Sequence, residues 1–125
     1  MGFENSFDGI KDNATWKLAA GIARGTDEGK VVKFSAAKTV AKCAAEDKIL
    51  GVLETIDHDN AYGVVGQRGY KTVSYSGTAP TAGLETELVA NASGGVKTPA
   101  TPGTGIKYLV VEVDTTATTL VLFLG

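Results

Sequence analysis

The sequence holds one cysteine, one histidine and one tryptophan among 125 residues, and only three prolines. Cys43 has no partner for an internal disulfide, which excludes a disulfide-stapled secreted framework. A single histidine is too few for the usual transition-metal sites, which draw on several His or Cys ligands. No apolar run approaches the roughly 18 residues of a membrane span. Neither sign of charge dominates: the net charge is −2 and the isoelectric point about 5.3. Nothing here draws the chain to nucleic acid or an anionic membrane, and no such partner is expected. Met1–Ser6 carries an acid and no cation before Lys11, so it is not read as a signal peptide. It does match the loose myristoylation pattern Met-Gly-x-x-x-Ser, whose three free positions let it recur by chance. The sequons Asn13-Ala14-Thr15 and Asn91-Ala92-Ser93 are read as turn residues.

What the chain has in quantity is glycine, valine and threonine. Sixteen glycines are nearly twice the usual share and imply many tight turns. The β-branched residues between them favour short strands. At 43% hydrophobic and 21% charged the composition suits an ordinary globular domain. A chain this long can hide roughly two-thirds of its unfolded surface. The expected fold is all-β, a small β-barrel or β-sandwich over residues 15–125, preceded by an extended N-terminal arm, residues 1–14. Phe3, Phe7 and Ile10 are the apolar anchors of that arm, set among Glu4, Asp8, Lys11 and Asp12.

Alternating apolar positions at Trp16, Leu18, Ala20 and Ile22 predict the first strand. The turn Thr26-Asp27-Glu28-Gly29 leads into a second at Lys30–Phe34. Residues 35–47 read either as a helix capped by Ser35 or as a hairpin returning through Thr39–Lys42, with the hairpin preferred. Lys48–Thr55 is a strand, and residues 61–76 form a hairpin or one long bent strand. Further strands are predicted at Thr86–Ala90, Val96–Thr98, Ile106–Val113 and Thr118–Leu124. The sequence also echoes itself at an offset of 57. Ile49 then falls on Ile106, Asp57 on Asp114 and Val64-Val65 on Val121-Leu122. A genuine repeat predicts two similar β units around one core.

No catalytic set assembles, and no catalytic, metal or cofactor site is assigned. Asp57-His58-Asp59 puts a histidine between carboxylates, but strand neighbours point to opposite faces, and the segment reads as a solvated turn. Cys43 sits beside Ala44 and Ala45 and reads as a small apolar filler. Gly63–Gly69 lacks the Lys-Ser/Thr that completes a phosphate loop. Tyr62, Tyr70 and Tyr75 sit among few cations and read as sheet-packing residues. The closing run Leu120–Leu124 and its partner Tyr108–Val111 are apolar on both faces, unlike a strand with one wet side. Either they lie centrally in a two-layer core or another subunit covers one face; Leu120, Leu122 and Leu124 are the expected interface residues.

Several segments share a rhythm: Gly29-Lys30-Val31-Val32, Asp47-Lys48-Ile49-Leu50-Gly51-Val52, and Gly66-Gln67-Arg68-Gly69 with Val73. Ala82-Gly83 before Glu87-Leu88-Val89, and Ser93-Gly94-Gly95-Val96, continue it. Over about residues 20–113 this resembles the small head-decoration, or cement, proteins of tailed bacteriophages. The resemblance implies a compact β body, commonly trimeric, that docks on the outer surface of an assembled capsid and clamps neighbouring capsomers. It implies the major capsid protein as partner, the virion surface as location with host cytoplasm during assembly, and the arm carrying Phe3, Phe7 and Ile10 as the capsid contact. No cofactor is implied. The alternatives are a carbohydrate or cell-surface recognition module, or another virion part such as a tail or baseplate protein.

Overall fold

The structure, a computed structural model, describes residues 13–124. The expected arm anchors Phe3, Phe7 and Ile10 lie outside the described residues. Asn13 and Ala14, assigned to the arm by sequence, instead open the first strand. Ten strands follow one another: β1 (Asn13–Leu18), β2 (Val31–Ala36), β3 (Thr39–Lys42), β4 (Gly51–Ile56), β5 (Tyr62–Gly66), β6 (Tyr70–Ser74), β7 (Glu85–Ala90), β8 (Val96–Lys97), β9 (Ile106–Asp114) and β10 (Thr119–Phe123). The fold is all-β, with no helix among the described residues.

The ambiguous segment 35–47 forms the β2–β3 hairpin, turning at Ala37–Lys38 with Lys38 in the left-handed region (φ 55°). A helix there would have to bury Ala36 and Ala44, and both are exposed while Val40 is sealed in a core. The segment 61–76 is neither hairpin nor bent strand. β5 pairs with β1 and β4, whereas β6 pairs with β10, so Gln67–Gly69 is the crossing between two sheets.

The first five strands close into a barrel in the order β1-β3-β2-β4-β5, with β1 parallel to β3 and antiparallel to β5. The second five form the order β6-β10-β9-β7-β8, whose ends are joined by a single parallel bridge, Tyr75 to Val96. Taken round the circle, the two orders are the same. The register repeats as well. The β1–β5 ladder, Asn13↔Gly66 to Lys17↔Tyr62, recurs 57 residues on as Tyr70↔Phe123 to Ser74↔Thr119. The β4–β5 pair has an extra residue at Glu54, and the β9–β10 pair has one at its counterpart, Val111. Val31↔Val52 likewise recurs as Glu85↔Leu109, with β2 displaced by 54 rather than 57. The sequence echo around Asp57 and Asp114 is therefore the visible part of a repeat covering all ten strands.

The two units differ in closure, and glycine explains it. Gly51 and Gly63 occupy positions where the second unit has Tyr108 and Leu120, both buried. A Cβ on Gly51 would stand 2.3 Å from the backbone oxygen of Gly66, and one on Gly63 2.9 Å from Leu53 Cδ1. Without side chains there, the first barrel draws shut around Leu18, Val32, Val40, Leu53, Ile56 and Val65. The second, holding larger residues, stays open at the β6–β8 seam. Its core of Val73, Tyr75, Leu88, Val110, Leu120 and Leu122 is completed by Val31, Cys43, Ile49 and Val52 from the first half. The repeat thus yields two cores rather than the single one expected, and the second core joins the units.

Candidate functional surfaces

Most carboxylates with a clear role hold a loop by its backbone. Asp27, 1% exposed, accepts from Ala23 N at 2.8 Å and from Lys30 Nζ at 3.0 Å, with Lys42 Nζ at 3.7 Å. Burial alone would raise its pKa; the Ala23 hydrogen bond and the two ammonium groups outweigh that and hold it below the usual carboxylate range. Asp57 accepts from Ala61 N at 2.8 Å, and its repeat counterpart Asp114 accepts from Thr116 N and Ala117 N at 3.0 Å. Glu87 pins the Pro-rich loop before β9 through Gly103 N at 3.0 Å and Gly105 N at 2.7 Å. Those two bonds lower its pKa. Glu46 grips the same loop at Ala100 N, 2.9 Å, and pairs with Lys97. Asn91, in the second sequon, accepts from Ser93 N and Gly95 N and so acts as a turn residue.

The reactive side chains do not meet. Cys43 is buried in the core that joins the units, and desolvation first, then Asp47, pushes its thiol up to about 11. A thiol held that far above neutrality is a poor nucleophile. His58 stands 79% exposed with Asp59 as its nearest carboxylate, at 3.6 Å. Among the described residues no three His, Cys, Asp or Glu side chains converge as a metal site would require.

The aromatics divide. Tyr75 is buried, Tyr62 and Tyr70 are exposed, and they belong to different units. Trp16 donates through Nε1 to Gln67 Oε1 at 2.8 Å and meets Phe34 edge-on, centroids 5.0 Å apart and planes at 83°. Such an arrangement packs well but offers no flat stacking platform. Beside it runs a groove of about 430 Å³ lined by Thr15, Trp16, Lys17, Ala37, Lys38 and Tyr62.

The expected interface residues Leu120 and Leu122 face inward and are sealed in the chain's own core, with Leu124 packed against it. The outward positions of β10 are Val121 and Phe123. Across the sheet Phe123 continues as one register row, Tyr70↔Phe123↔Leu109↔Glu85. Tyr70 is 64% exposed, Leu109 37% and the bulged Val111 45%, with Leu84 at 59% beside them. The apolar-on-both-faces signal in Tyr108–Val111 was real, but sequence alone does not set which alternate residues turn inward. No protein-family model and no curated protein matches the chain.

Proposed function

We propose that this chain is a non-enzymatic structural protein that decorates the outer surface of an assembled phage capsid. In this reading it works as a homotrimer, binds the major capsid protein and clamps neighbouring capsomers. The observation that carries it is how closely the loops are held by hydrogen bonds. Nearly every long connection has its backbone held by a carboxylate or amide, from within the loop or from a neighbouring strand or loop, where a catalytic domain more often keeps loops free to open and close. A clamp under outward pressure passes load only through a stiff body, and each further contact gains effective concentration from the first. The glycine–valine rhythm of the strands supports the same assignment. The test is to sediment expanded and unexpanded capsids with the purified protein. Retention on expanded shells is expected, and absence from both pellets would reject the proposal.

The second reading is carbohydrate or cell-surface recognition, favoured by the groove beside Trp16 and Tyr62. Quenching or enhancement of Trp16 fluorescence by a panel of sugars would support it. The perpendicular Trp16 and Phe34 rings make it the weaker of the two.

A further inference from the structure

Because the two units share one plan, the contact between them is a template for the faces that remain. Within the chain, the outer face of β2 and β4 seats on the second unit's β6 and β7–β8 turn. Val31 N donates to Gly94 O at 2.9 Å, and Glu54 Oε2 meets Lys71 Nζ at 3.3 Å. Val31 and Val52 enter the open seam. Carried across the repeat, Val31, Val52 and Glu54 become Glu85, Leu109 and Val111. Glu85 and Leu109 lie on the outer register row of the second unit with the bulged Val111 beside them, and among the described residues no further unit covers them. On the receiving side, Lys71 becomes Ala14. The parallel pair Leu18↔Val40 recurs as Tyr75↔Val96, so two residues earlier Gly94 becomes Lys38, and both are left-handed, φ 91° and 55°. Lys38 borders the 430 Å³ groove, and Ala14 adjoins it in β1.

We propose that this outer row on the second unit of one copy docks on the Trp16–Lys38 groove of another copy, head to tail, repeating the contact already made inside the chain. The matched positions agree in chemistry. Glu85 comes opposite Lys38, a new acid–cation pair where the internal contact has Val31 against a glycine. Val111 comes opposite Ala14, apolar on apolar where the internal contact has Glu54 against Lys71. Among the described residues neither Glu85 nor Lys38 has an ion-pair partner. The first barrel is closed by its β1–β3 pairing, so an incoming copy meets a wall and a groove rather than an open core. The association is accordingly reversible. The two surfaces differ, so the contact is heterologous, and it continues until rotation closes a ring.

This gives a contact surface to the homo-oligomer of the capsid reading, yet it is read on purified chains alone, so either can fail without the other. Sedimentation velocity of the full-length chain should show species growing with concentration. A head variant, Leu109→Glu with Val111→Glu, and a groove variant, Lys38→Glu with Tyr62→Glu, should each weaken self-association at least tenfold. Circular dichroism melts check that both fold; should the first fail, Glu85→Lys is the alternative head variant. Mixed, the two should form pairs and nothing larger, because only one intact head and one intact groove remain between them. A wild type that stays monomeric at every concentration would overturn the proposal. So would a blocked variant that still assembles alone, or a mixture that stays monomeric.

Discussion

The closure of the first barrel makes a sharp demand on Gly63. Replacing it with alanine places a methyl 2.9 Å from Leu53 Cδ1, 2.9 Å from the Thr55 carbonyl oxygen and 3.1 Å from Leu18 Cδ2. Two opposing effects follow. Loss of backbone freedom in the unfolded chain favours alanine by about 0.4–1 kcal/mol. Overpacking a closed interior costs about 1–3 kcal/mol. One of the contacts is with backbone, which cannot swing aside, so packing wins and Gly63→Ala is expected to destabilise by about 1–2 kcal/mol. For a chain of this size that is a fall in Tm of about 3–8 °C. Urea unfolding at constant m measures the free energy. Leu53→Val removes one of the two atoms nearest the new methyl, so the double variant should lose less than the two single losses added, by about 0.5 kcal/mol or more. A Gly63→Ala protein more stable than wild type, or strict additivity with Leu53→Val, would refute the account of why the first barrel closes.

Other consequences are open to direct measurement. Asp27→Asn keeps an acceptor for Ala23 N but loses the charge facing Lys30 and Lys42, and should cost about 1–3 kcal/mol near neutral pH. The Asp27 carboxyl is held below its ordinary value of 3.8, so its contribution is present above that pH and lost as pH falls through the folded value. The gap between wild type and variant in chemical melts should therefore narrow on acidification below about 4. Cys43 should resist thiol reagents at pH 8 in the native state and react fully in denaturant. Tyr108, desolvated and pushed up to about 12, should give an ultraviolet ionisation step well above the ordinary tyrosine value of about 10.

Much of the fold was legible in the sequence because strand, turn and glycine signals are local. The β4, β7, β9 and β10 strands and the Asp57 and Asp114 turns could be placed from short apolar, β-branched runs and the turn residues that bound them. The crossing between β5 and β6 could not, since Gly66 to Gly69 has the chemistry of a hairpin and only the partners of each strand reveal a change of sheet. The repeat showed through just one hairpin because its other strands share register rather than residues; Val31 and Glu85 correspond yet have opposite character. The same limit misplaced the candidate interface. Period-two patterning marks a strand as apolar on both faces but leaves the phase open, and a bulge at Val111 resets it midway. The loop-pinning carboxylates were hidden for a different reason: Glu87 and Gly105 are far apart in sequence, and nothing local marks them as partners.

The unequal units also bear on how the chain is made. Residues up to Gly66 contain every strand and every interior side chain of the first barrel, so that half can complete its packing as soon as it leaves the ribosome. The second half has no such independence, because Val31, Cys43, Ile49 and Val52 fill part of its interior. Synthesis from the N-terminus therefore delivers a finished template first and the dependent half afterwards. A circular permutant beginning at Tyr70 would reverse that order, leaving a half-filled apolar cup waiting in solution for its plug.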